Sequence, residues 1–101
     1  RIMTFFSLEG PEYNIDDQVS VEATIVSSLA TDALRIDFWV ETADGRFESF
    51  ETAEIDPMEA GDIKTITTKF SPDEKGLLSI YAYLMDGNRR VDRKIEQVRV
   101  I

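Results

Sequence analysis

Carboxylates are the abundant groups in this sequence that could do chemistry, because it contains no histidine and no cysteine. Imidazole bases, thiolate nucleophiles, Cys/His zinc sites and disulfides are therefore excluded. The serines and threonines have no histidine to activate them, and no glycine-rich phosphate loop is present. The sequence predicts a chain that is not an enzyme, with no catalytic residue and no cofactor.

Many of the acidic residues fall in predicted turns, where several loops together could present oxygen ligands to calcium. None of these segments has the alternating acidic pattern of an EF-hand loop, and aspartate is favoured in turns for local hydrogen-bonding reasons. A glycosidase pair would need two carboxylates across a cleft, which short loops do not offer. We predict no metal site and leave a calcium-binding loop open; the turn carboxylates are Asp16, Asp17, Asp44, Asp56, Asp73, Glu74 and Asp86.

Three aromatic residues form the candidate interaction surface. If the even-numbered residues from Leu34 to Val40 face the core, Trp39 must point to the opposite face, and the same parity turns Tyr81 and Tyr83 outward. Such rings either stabilise an exposed sheet or form a contact surface for a neighbouring domain, another protein or a sugar ring. We expect this stripe to be bordered by Asp37, Glu41 and Lys94.

Period-2 alternation of apolar and polar residues dominates the chain and predicts β-strands to position this stripe. Asp-Gly pairs at residues 44–45 and 86–87 indicate hairpins, and the interval from Ile95 to Val98 predicts a bulge. The predicted fold is an all-β, immunoglobulin-like antiparallel β-sandwich of about seven strands. The predicted strands are 1–8, 18–29, 34–41, 46–51, 62–70, 78–85 and one from 89 onwards, and the predicted core includes Val21, Ile25, Ile36, Phe38, Phe70, Ile80 and Leu84.

Length and charge limit the class of partner. The 101 residues fit one domain, and 11 Lys and Arg against 20 Asp and Glu give a formal net charge of −9. This charge repels phosphate backbones and anionic membrane surfaces, so nucleic acid is not an expected partner. No apolar run approaches the roughly 20 residues that a membrane span needs, so we expect no direct membrane insertion.

The ends of the sequence predict a fragment. The chain begins at Arg1 rather than at methionine and ends on the strand-like residues 98–101. We therefore expect residues 1–101 to be a single module excised from a longer exported protein.

The second half of the sequence resembles the CARDB-like, immunoglobulin-like modules of archaeal and bacterial cell-surface proteins. The residues that carry the resemblance are Ala60-Gly61-Asp62, Phe70-Ser71-Pro72, the Gly-led strand from Gly76 to Leu84, Asp86-Gly87 and Val98-Arg99-Val100, together with the earlier strand from Gln18 to Ile25. The resemblance implies a non-catalytic extracellular module that spaces or displays other domains and mediates adhesion. Its partners would be neighbouring domains of the parent protein or other cell-surface proteins.

Three alternatives stay open at this stage. The chain could be an accessory module of a secreted hydrolase or peptidase, or a carbohydrate-binding module that uses the aromatic stripe on a glycan. It could also be the stator-like sandwich of an archaeal motility machine, which would bind a surface-layer protein.

Overall fold

All regular structure in residues 2–101, which the computed structural model describes, is β-strand. Because these residues form no helix, none of them forms a helix long and apolar enough to cross a membrane. The all-β prediction is confirmed, and Arg1, the first residue of the first predicted strand, lies outside the described residues. The strands are β1 (Ile2–Leu8), β2 (Glu12–Tyr13), β3 (Val19–Ser27), β4 (Leu34–Glu41), β5 (Phe47–Ile55), β6 (Ile63–Phe70), β7 (Gly76–Asp86) and β8 (Arg89–Val100).

Two sheets pack face to face as an immunoglobulin-like sandwich. One sheet has the order β1-β3-β6 and the other the order β2-β8-β7-β4-β5. Every pairing is antiparallel except that between β2 and β8, which is parallel. The predicted sandwich is confirmed, and β4 and β7 are hydrogen-bonded neighbours.

The core lies between the sheets and follows the alternation of each strand. Along β4, buried and half-buried residues alternate from Leu34 to Glu41, and β7 shows the same pattern. Phe70, predicted to be in the core, is only half-buried, because it lies on β6, an edge strand that has a neighbour on one side only. The other predicted core residues are fully buried, namely Val21, Ile25, Ile36, Phe38, Ile80 and Leu84.

Two strand predictions needed correction. The turn predicted after Gly10 contains β2, where the Arg99 amide donates to the Pro11 carbonyl at 2.8 Å. The segment from Thr52, predicted as a connection, continues β5 as far as Ile55, since its residues pair in register with the first half of β4. In both places pairing with a distant strand extends the sheet where the local sequence indicates a turn or a connection.

The bulge predicted between Ile95 and Val98 is wrong. β8 pairs with β7 without a shift from Asp92 to Val100, and the register shift lies instead next to Val91. Ile95 therefore keeps the regular alternation and stands on the outer face, directly opposite Tyr81. Val98 and Val100 are buried, as the same parity requires.

Candidate functional site

The outer face of the five-stranded sheet carries the three aromatic residues singled out in the sequence. Trp39 on β4 lies directly opposite Tyr81 on β7, and Tyr83 lies opposite Asp37. All three rings are half-buried, while their neighbours along each strand are buried in the core. The structure thus brings Trp39, Tyr81 and Tyr83 together on one surface, and their role in binding stays a prediction.

Two further side chains complete this surface. Phe47 pairs with Glu41 and is 45% exposed, and Ile95 pairs with Tyr81 and is 43% exposed. We call the group formed by Trp39, Phe47, Tyr81, Tyr83 and Ile95 the aromatic face. Sequence reasoning missed Phe47 and Ile95, although a strict period-2 assignment of β8 would have found the latter.

A β-bulge in β5 explains why Phe47 belongs to the aromatic face. Phe38 pairs with Glu51 and Trp39 with Ser49, so Phe50 is the extra residue in β5. Phe50 packs against Phe38 with ring centroids 5.9 Å apart, on the core side. The inserted residue reverses the parity of the rest of the strand, which turns Phe47 outward beside Trp39.

The rings contact one another in a chain. Phe47 stacks on Trp39 with centroids 4.7 Å apart and planes 14° apart, and its ring meets Tyr81 edge-on at 5.2 Å. Tyr81 and Tyr83 are stacked at 5.8 Å. Each of Trp39, Tyr81 and Tyr83 therefore packs against another ring of the group, and Trp39 has one ring face stacked on Phe47.

Hydrogen bonds hold the polar parts of this surface in place. The Tyr81 hydroxyl donates to Glu41 Oε1 at 3.1 Å. Burial and this hydrogen bond to a carboxylate raise the pKa of Tyr81 above its ordinary value. Asp37 accepts from Arg35 Nε at 3.2 Å and from the Thr52 hydroxyl at 3.1 Å. Both carboxylates beside the rings, Asp37 and Glu41, thus have hydrogen-bond partners.

The predicted border of the aromatic face needs one correction. Asp37 and Glu41 lie beside the rings as expected, but Lys94 pairs with Ala82, a core position. Its parity is therefore opposite to that of the aromatic face, and Lys94 lines a groove beside β1. The cation next to Tyr83 is Arg93.

Three of the turn carboxylates considered for calcium, Asp44, Asp73 and Glu74, converge on the cationic side chain of Arg46. Within residues 2–101, no three carboxylates come together in a way that could hold a metal ion. Four carboxylates instead surround Arg46, whose pKa they raise, Glu48 having the largest effect. These four groups, all within 3.6 Å of the guanidinium, are Asp44, Glu48, Asp73 and Glu74.

One groove between the sheets holds a single carboxylate. It has a volume of about 310 Å³, lies between β1 and β8, and has Glu96 as its one carboxylate. Paired carboxylates of the kind used in glycoside hydrolysis are therefore absent from this groove.

The outer face of the three-stranded sheet differs from the aromatic face. It exposes Met3, Phe5 and Ile63, which are 42%, 53% and 64% accessible. Phe5 makes no ring–ring contact within the described part of the chain, so these side chains form no aromatic cluster.

Comparison with known proteins shows the fold. No family model and no curated protein matches the sequence. Among solved structures, the chain is similar to the CARDB domain of a Pyrococcus furiosus protein in complex with di-metal ions, with a TM-score of 0.81 and 11% identity over 100% of this chain and 88% of that one. The chain therefore has a CARDB-like fold.

The same fold occurs as part of much larger enzymes. The chain is similar to part of a β-glucosidase from Listeria innocua, with a TM-score of 0.75 and 21% identity. A β-glucosidase from Erythrobacter marinus matches with a TM-score of 0.77 and 11% identity. The chain is covered to 99% and 100% in these matches but spans only 16% and 15% of the two enzymes.

Proposed function

We propose that this chain is a non-catalytic structural module of an exported cell-surface protein, and that it contacts another protein through the aromatic face. The observation that carries the proposal is the cluster of Trp39, Phe47, Tyr81, Tyr83 and Ile95 on an outer sheet surface. Tryptophan and tyrosine are the usual anchors of protein contacts, and a lone domain has no need of such a patch.

Likeness in fold supports the modular part of the proposal. The chain matches a CARDB domain almost from end to end, and it matches a sixth or less of two larger enzymes. It therefore has the size of one unit within a larger protein. Such units space or display other domains. Adhesion and an extracellular location are consistent with this role and with the acidic surface.

A crosslinking experiment on the full-length parent protein tests the contact. Phe47 is replaced by the photoreactive residue p-benzoylphenylalanine, and intact cells are irradiated. We expect crosslinks to another segment of the parent or to another surface protein. Phe5, on the other sheet and 53% exposed against 45% for Phe47, is the matched control position.

The outcomes separate the two parts of the proposal. Equal crosslinking from positions 5 and 47, or none from position 47, contradicts the docking role of the aromatic face. Treating the same cells with trypsin before lysis tests the location, since a surface module must be cleaved while a cytosolic marker survives.

The likeness to the two β-glucosidases favours a second candidate, an accessory or carbohydrate-binding module of a secreted hydrolase. A sugar ring stacks on a flat, open aromatic face. Here Trp39 has one face covered by Phe47, which makes protein docking the better supported function. Titration calorimetry with β-glucan oligosaccharides, comparing the natural chain with Trp39→Ala, tests this candidate; binding tighter than about 1 mM that is lost in the variant would establish it.

A further inference from the structure

The sheet surface around the aromatic face differs in charge from the turns and connections, which hold most of the excess acids. By register, it carries no lysine and equal numbers of cations and anions, Arg35, Arg90, Arg93 and Arg99 against Glu12, Asp37, Glu41 and Glu54. The net charge of −9 therefore lies entirely on other parts of the chain. Enrichment in aromatic residues and arginine, without lysine, is typical of protein–protein interfaces.

The charges on this surface are also divided between its two sides. Arg90, Arg93 and Arg99 all lie on β8. Three of the four carboxylates lie on the opposite side, on β4 and β5. The two tyrosines of β7 lie between these rows, so the surface has a basic side, an apolar centre and an acidic side.

From this arrangement we propose that the aromatic face binds a second copy of this chain, face to face, around a two-fold axis that runs along the strands in the contact plane. Such an axis places β8 of one copy over β5 of the other and β7 over β4. Arg90 of each copy then lies over Glu54 of the other, and Tyr81 of each copy lies over Trp39 of the other. The inference rests on the proposed function and names the partner.

The register specifies which charges meet. Arg90, Met85, Arg35 and Glu54 form one row across the sheet. The two-fold axis reverses the order of this row, so Arg90 of each copy faces Glu54 of the other. Neither residue makes a salt bridge within the described chain, so both are available for a partner.

The size of the contact predicts a weak dimer. A surface four strands wide and about seven residues tall covers on the order of 400 Å² per copy. This is about half of what a standard stable interface buries per partner. We expect a dissociation constant of roughly 100 μM to 1 mM, which requires concentrated samples.

Charge reversal with mixing tests the arrangement. Arg90→Glu places a carboxylate opposite Glu54 of the other copy, and Glu54→Arg places a guanidinium opposite Arg90 of the other copy. We expect each variant alone to dimerise about tenfold more weakly in sedimentation velocity, because each dimer contains the altered pair twice. An equimolar mixture should regain association within about threefold of the natural chain.

Two controls identify the surface. Lys69→Glu reverses a charge on the outer face of the other sheet and should leave the dimer unchanged. Phe47→Ser should weaken the dimer, whereas Phe5→Ser on the other sheet should not. Circular dichroism of every variant confirms that the sandwich has folded.

The possible results separate this inference from the proposed function. A chain that stays monomeric at about 1 mM, a dimer insensitive to Phe47→Ser, or variants that fail to recover on mixing would each overturn the second copy as partner. A monomeric chain whose position 47 still crosslinks to a different protein retains the docking function and refutes only its homotypic form. A glycan that binds the same face would refute both.

Discussion

At the scale of single residues, the hydrogen bond from Tyr81 to Glu41 links the aromatic face to the charge of β4. The Tyr81 hydroxyl donates to Glu41 Oε1 at 3.1 Å, and the Tyr81 ring packs against Phe47 and Tyr83. Ionising this phenol would place two negative charges side by side and remove the proton that they share. Because the pKa of Tyr81 is raised in the folded state, ionisation of its hydroxyl lowers the free energy of unfolding.

The folded state holds the Tyr81 proton more tightly than the unfolded state does, so its contribution to stability is present below pH 10 and is lost as the pH rises further. We expect Tyr81→Phe to lose less thermal stability than the natural chain between pH 8 and about pH 11. Melting curves followed by circular dichroism measure this difference. Tyr83→Phe, whose hydroxyl makes no hydrogen bond in the described residues, is the control and should follow the natural chain. If the melting temperature of all three proteins changes with pH in the same way, the role of the Tyr81–Glu41 hydrogen bond is contradicted.

At the scale of secondary-structure elements, close approach between β7 and the turn after β4 constrains the end of the sandwich. Gly76, the first residue of β7, has a φ of +122°, and a Cβ atom built there would lie 2.6 Å from Cβ of Ala43. The same end is held by Arg46, which bridges the turn between β4 and β5 to Asp73 and Glu74 before β7. Glycine is thus required both by the backbone conformation and by the space available.

Replacing Gly76 by alanine should lower the free energy of unfolding by about 1–3 kcal/mol, because the substitution adds backbone strain and a steric clash. Urea denaturation measures the change. Gly10→Ala is the matched control, since nothing lies within 4 Å of the position of its Cβ atom. If both variants unfold at the same urea concentration, the turn after β4 moves away at little cost and the close approach is not a constraint.

At the scale of the whole molecule, most of the excess negative charge lies in the turns and connections between the strands, whereas the outer faces of both sheets carry equal numbers of acids and bases. Repulsion among these carboxylates opposes the compact state. Four of the salt bridges in the described residues share the single cation Arg46, which pairs with acids at one end of the sandwich only. Most of the repulsion is therefore left for solvent ions to screen.

Stability should accordingly rise with ionic strength. We expect a higher melting temperature in about 1 M sodium chloride than in about 20 mM, because the Debye length falls from roughly 20 Å to 3 Å. The double variant Glu22→Gln/Glu51→Gln, which removes two exposed charges without a salt bridge, should show a smaller increase. A melting temperature that stays constant or falls with salt would mean that local pairs already compensate the charge.

Alternation along single strands determined much of this protein from sequence. The side of the sheet to which a residue points depends on its parity within one strand, which is a local property. The all-β fold, the burial of Phe38 and Ile80, and the outward position of Trp39, Tyr81 and Tyr83 follow from it. The composition likewise excluded imidazole and thiol chemistry without any structure.

Register and long-range pairing were decided only by the tertiary structure. β2 exists because it lies beside β8, and Met58 is buried although it belongs to a connection, held by a hydrogen bond from the Thr31 amide at 2.8 Å. The bulge at Phe50 depends on how β5 fits against β4, and it alone turns Phe47 toward Trp39. The physical reason is that parity is a property of one strand, whereas register is fixed only when strands distant in sequence pack together. The complete aromatic face and its division of charge depend on register, so only the tertiary structure decides them.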